Sequence, residues 1–127
     1  MLRSARHAYL GLREAMRTER NLQIFAFWYV AVLLLGIYLQ LVWIEWIVIL
    51  FAGGIFLSVE LLNTALEWIS DAFDDHLKAG HQSEDFLAVK MAKDVAAGAS
   101  LVSLIMVIVI LTIIFVPYLS PLAASVS

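Results

Sequence analysis

The 127-residue chain contains no cysteine, which excludes disulfides and thiolate metal sites. Charge is also scarce. Only 15% of residues are charged and 63% are apolar, where a soluble globular chain is about 25% charged and about 45–50% apolar. Proline is confined to positions 117 and 121, so no proline interrupts the long apolar runs before that point. The paired glycines, Gly53 and Gly54, follow Ala52 inside an apolar stretch with no Walker pattern around them. They therefore indicate close helix packing and not a phosphate cradle. His76 and His81 lie five apart with Gly80 between them, missing the spacing of three or four that pairs ligands on one helix face, so no zinc site is expected. What these deficits leave is a small all-α integral membrane protein. It is expected to form one domain over residues 1–127, with no nucleic-acid partner.

Three apolar runs are long enough to cross a bilayer, which takes about 20 residues. The expected spans are about 22–40, 44–68 and 95–116, with Pro117 ending the third. Before the first, Leu2, Ala5, Tyr9, Leu12 and Met16 recur every three or four residues and predict an amphipathic surface helix over about 2–18. Arg3, Arg6, Arg13 and Arg17 flank that stripe, placed to snorkel toward lipid phosphates. No small-residue cleavage site follows the first run, which therefore reads as a retained anchor. Residues 41–46 form an outer turn with Trp43 and Trp46 in the interfacial belt.

Orientation follows from where basic residues are missing. The 41–46 turn and the tail after 116 contain none; all eight lysines and arginines lie within residues 3–20 or 78–93. The positive-inside rule then places the N-terminus and the loop of about 69–93 in the cytoplasm and the C-terminus outside.

Against this apolar background stands Glu60–Asp71, ELLNTALEWISD. Glu60, Asn63 and Glu67 fall at i, i+3 and i+7 and project from one side of the second span. Ionisable groups at membrane depth are expensive and are mostly kept for function. Asp71 and Asp74 extend the stripe if the helix continues. Lys93 and Asp94 open the third span and Glu19 precedes the first, so carboxylates, an amide and an ammonium gather near one depth on the cytoplasmic side. Mg²⁺ takes one or two carboxylates plus substrate phosphates, a lysine offers a compact charge for phosphate, and a carboxylate can serve as general base. These are the parts of a phosphoryl transfer.

GLREAMRTERN (11–21), ELLNTALEWISD (60–71) and AKDVAAGAS (92–100), set among three spans in this order, resemble the small prokaryotic diacylglycerol kinases and undecaprenol kinases. The resemblance implies a homotrimeric helical bundle in the bacterial plasma (inner) membrane, with active sites shared between subunits. It also implies ATP- and Mg²⁺-dependent phosphorylation of a lipid alcohol, either undecaprenol or diacylglycerol. Position by position, Glu60 matches the catalytic base and Asn63 a group that positions the substrate beside it. Glu19 and Glu67 match the glutamates that hold Mg²⁺ with ATP, and Lys93 and Asp94 match the pair that contacts the nucleotide.

Leu22 and Gln23 depart from the aromatic and arginine often found after the first glutamate in this family, and the segment around HLKAGHQSEDF is longer than usual. Two alternatives stay open: a non-catalytic membrane subunit with an ion-pathway or assembly role, and a degenerate family member that keeps only the fold.

Overall fold

The structure, a computed structural model, describes residues 2–77 and 83–126, with side-chain surroundings for residues 4–73 and 87–120. His76, His81, the Asp74 side chain and most of the long 76–86 segment lie outside that description. Among the described residues, all regular structure is helical: α1 (Leu2–Thr18), α2 (Arg20–Tyr38), α3 (Trp43–Leu77) and α4 (Ser83–Val126). Three of these are long and apolar enough to cross a membrane, over Arg20–Tyr38, Trp43–Phe73 and Leu87–Ser120.

The α1–α2 junction explains the departure at positions 22 and 23. Leu22 is fully buried, and the Gln23 side chain donates from Nε2 to the Arg17 carbonyl at 3.0 Å. Thr18 Oγ1 donates to the Glu14 carbonyl at 2.9 Å. Carbonyls at the end of a helix have no partner within it, and the Gln23 side chain satisfies that of Arg17.

The outer turn is tighter than the sequence suggests, because α3 already begins at Trp43. Helix α2 ends in a Schellman motif: Leu41 N–H donates to the Gly36 carbonyl and Gln40 N–H to that of Ile37. Gln40 carries the left-handed backbone of this motif, with φ of 55°. Gly36 is buried against Leu41 and Trp46, which would meet an added Cβ at 3.0 Å. Glu45 closes the turn from the other side. Its Oε2 accepts from Val42 N–H at 2.9 Å, as the third residue of a capping box does, and also from the Tyr118 hydroxyl of α4 at 2.7 Å.

Two further elements differ from expectation. Residues 69–93 are not simply a loop: α3 runs through Leu77 and α4 starts at Ser83. Nor does Pro117 end the last helix, which continues to Val126. Proline removes one backbone donor, but leaving the helix near the membrane would strand many more, so such helices tolerate it.

Lipid tails are as apolar as leucine, so helix pairing in a bilayer depends on close approach and polar bonds more than on apolar burial. Helices α3 and α4 are the principal pair. They enclose Ile49, Ile114 and Phe115 toward the α2–α3 turn and Ala52, Phe56 and Val107 further from it. Helix α2 leans on α3 where Phe25 meets Phe56, ring centroids 4.2 Å apart, and where the Tyr29 hydroxyl donates to the Ile49 carbonyl at 2.9 Å. Gly53 lies directly under the Tyr29 ring, which would overlap any Cβ there. Gly54 faces open space, so of the small residues at 52–54 it is Ala52 and Gly53 that serve internal packing. Because α2 touches α3 without approaching α4 along its length, a cleft remains between them, floored by α3.

Candidate functional site

The cleft holds about 480 Å³. Its apolar walls come from Ile24, Trp28 and Val32 of α2 and from Leu104, Ile108 and Leu111 of α4. Its polar end is the α3 stripe: Glu60, Asn63 and Glu67 all line it, as their spacing on one helix face predicts.

Glu60 is 3% exposed and Asn63 is 6% exposed. Glu60 accepts a hydrogen bond from Ser100 Oγ, a side chain of α4 that also lines the cleft. Hydrogen bonds to a charged group contribute roughly 1.5–3 kcal/mol, so this contact fixes both the carboxylate and the α3–α4 register. Ser100 closes the AKDVAAGAS segment and is seven residues beyond Lys93 on the same face of α4. That spacing was the available signal, yet a serine in a small-residue run has no distinguishing pattern until its partner across the helix pair is known.

One turn along α3, Asn63 Nδ2 donates to Glu67 Oε1 at 3.2 Å. Asn63 Oδ1 is buried and has no hydrogen-bond partner among the described residues. A buried acceptor left unpaired costs about 1–3 kcal/mol, so this atom is poised to receive a donor.

The remaining candidate residues form a shallower rim. Glu67 lies two helical turns beyond Glu60, roughly 10 Å along the axis. The carboxylate of Glu19 reaches the same level, accepting from Trp68 Nε1 at 3.0 Å. Lys93 forms an ion pair with Asp71 at 2.7 Å, on the stripe that continues from Glu67. Both members are substantially exposed, and such pairs contribute only about 0–1 kcal/mol. Asp94 is exposed and does not line the cleft. The structure thus brings Glu60, Asn63 and Glu67 into one cleft, while Glu19, bonded to Trp68, and Lys93, paired with Asp71, do not line it. Asp94 stands apart from them.

Among the described residues, no three histidine or acidic side chains converge as a complete metal cage. The donors at the polar end of the cleft are the Glu67 carboxylate and the amide oxygen of Asn63, with the Glu19 carboxylate held on the neighbouring Trp68, all hard oxygen. That set suits a cation such as Mg²⁺, which completes its shell with water and phosphate and does not need an all-protein cage.

A family model of prokaryotic diacylglycerol kinase matches residues 6–115. An undecaprenol kinase of Bacillus subtilis is 42% identical over 114 residues, covering 89% of this chain and 85% of that protein. A diacylglycerol kinase of Synechocystis is 39% identical over 110 residues, covering 87% of this chain and 59% of that one. No solved structure matches. With the matched region running from the surface helix through the last span and including the whole polar cleft, the chain belongs to the prokaryotic diacylglycerol kinase family of membrane lipid kinases.

Proposed function

We propose that the protein transfers the γ-phosphoryl group of ATP to the hydroxyl of undecaprenol at the cytoplasmic face of a bacterial inner membrane. The observation that carries this reading is the buried Glu60 carboxylate at the polar end of an otherwise apolar cleft. A buried acceptor at the end of an apolar cleft suits a molecule with a long hydrocarbon tail and a hydroxyl, whose single proton goes to Glu60 and leaves Asn63 Oδ1 for another donor. The tail lies along the α2–α4 walls and the hydroxyl reaches the polar end, where its proton passes to Glu60 as its oxygen attacks the γ-phosphorus. Ser100 holds the Glu60 carboxylate and Glu67 holds the Asn63 amide, so neither acceptor must be organised at the moment of reaction.

Glu19 and Glu67 would hold Mg²⁺, which when bound draws negative charge off the triphosphate. Lys93 and Asp94 form the pair that contacts the nucleotide, with the Lys93 ammonium turned toward its phosphates. The rim and the cleft thus divide the two substrates, nucleotide outside and lipid within. Undecaprenol is favoured over diacylglycerol by the higher identity and fuller coverage of the undecaprenol kinase. The same reading includes a cytoplasmic N-terminus, an outer C-terminus, α1 on the membrane surface, one domain over residues 1–127 and a homotrimer with shared sites.

The test offers undecaprenol and diacylglycerol side by side to purified protein with Mg²⁺ and radiolabelled ATP in bilayers. Labelled undecaprenyl phosphate is the expected product. Labelled phosphatidic acid in its place would overturn the substrate assignment, and labelling of neither lipid would overturn the activity. Glu60→Gln is expected to insert and fold normally while losing roughly 10²–10⁴-fold in rate, the range of general-base contributions; an undiminished rate rules out Glu60 as the base.

A further inference from the structure

Glu19 occupies the position before the first turn of α2, with φ of −92° and ψ of 112°. Short side chains at that position (Ser, Thr, Asp, Asn) cap the free amide N–H groups of the helix start; the longer glutamate side chain is free to reach elsewhere. The Glu19 side chain makes no such bond. It turns away from its own helix and accepts instead from Trp68 Nε1, 49 residues further along the chain and on α3.

We propose that the Trp68 indole N–H is a positioning group for Glu19 and thereby sets how tightly the protein holds a divalent cation. This rests on the reading of Glu19 and Glu67 as the metal-holding pair. Three features support it. An indole has one N–H and no acceptor, so it engages a single carboxylate oxygen, here Oε1, and makes no claim on Oε2. Trp68 directly follows Glu67, so one turn of α3 carries both the second carboxylate and the group that draws the first one toward it. Finally, Trp68 is 42% exposed and Glu19 is half-buried, so the bond sits where a hydrated cation can arrive. Hydrogen-bonded partners that orient metal ligands typically govern 10–100-fold in metal affinity.

A competing role for Trp68 is that of an interfacial anchor for α3. That role predicts a change in stability or insertion but none in cation affinity. The two are separated by Mn²⁺ titration of the purified full-length protein, followed by electron paramagnetic resonance in the presence of a non-hydrolysable ATP analogue, alongside thermal unfolding. Trp68→Phe and Trp68→Met both fill space without a donor. Each is expected to weaken Mn²⁺ binding by about 10-fold or more, to a similar extent, and to cause no further weakening in a Glu19→Gln background. Wild-type affinity in both Trp68 variants while Glu19→Gln binds poorly overturns the role of Trp68 and leaves the metal pair standing. A loss that differs between Phe and Met, or that persists undiminished beside Glu19→Gln, assigns Trp68 to packing and also overturns the proposal. Wild-type affinity in Glu19→Gln itself removes the metal pair and the proposal with it.

Discussion

At the scale of single residues, the polar end of the cleft is organised by hydrogen-bonded pairs of side chains. Ser100 serves Glu60 and Glu67 serves Asn63. Ser100→Ala removes a donor to a carboxylate, and such bonds contribute roughly 1.5–3 kcal/mol. If half or more of that is realised in the transition state, the turnover number falls about 10-fold, while Ser100→Thr recovers most of it. Steady-state kinetics on both variants, with the KM for ATP as the control that should not move, measures this. The helical spacing of Glu60, Asn63 and Glu67 was legible in the sequence because all three lie on one helix, where periodicity alone sets the face. Ser100 and Trp68 were not legible as partners, because each acts across a helix pair and periodicity says nothing about which faces meet. Leu22 and Gln23 looked like departures from a motif; in the structure one fills the α1–α2 junction and the other satisfies a carbonyl of α1.

At the scale of elements, the three long apolar helices and the N-terminal helix follow from apolar run lengths and amphipathic spacing, and the structure places helices at all four. The ends of these elements were harder to read. The sequence offers no glycine to mark the close of α2, because Gln40 takes the left-handed position. A non-glycine residue there pays roughly 1–2 kcal/mol. Gln40→Gly is therefore expected to stabilise the protein by about 1 kcal/mol, read as a higher unfolding midpoint in detergent at unchanged activity. Gly53→Ala should do the opposite. Its new methyl group overlaps the Tyr29 ring, and overpacking of this kind costs about 1–3 kcal/mol. Thermal unfolding is expected to show a lowered midpoint that Tyr29→Ala partly restores in the double variant. Pro117 misled for a related reason: rules learned in water assume that a broken helix can hydrate its freed backbone, and near a bilayer that option is poor.

At the scale of the whole molecule, the described spans leave many large apolar side chains uncovered, among them Phe27 and Trp28 of α2 and Phe51 of α3. On the outward side of α3, Gly54 has open space beside it, and Ser58 spends its hydroxyl on the Gly54 carbonyl at 2.8 Å. Small residues on a lipid-facing surface let a second helix approach closely. Native mass spectrometry of the detergent-solubilised protein is expected to show three copies, and replacing Gly54 with leucine should shift that population toward monomer. A wild-type protein that stays monomeric at full activity would contradict shared sites.

Glu60 and Ser100 are separated by 40 residues of chain. At roughly 5–20 residues per second, the ribosome delivers the carboxylate several seconds before the hydroxyl that will pair with it. For that interval α3 carries a costly group into the bilayer with no partner from its own chain. Truncating synthesis between α3 and α4 is therefore expected to leave α3 less stably inserted than in the full chain, read by protease protection of the two chains.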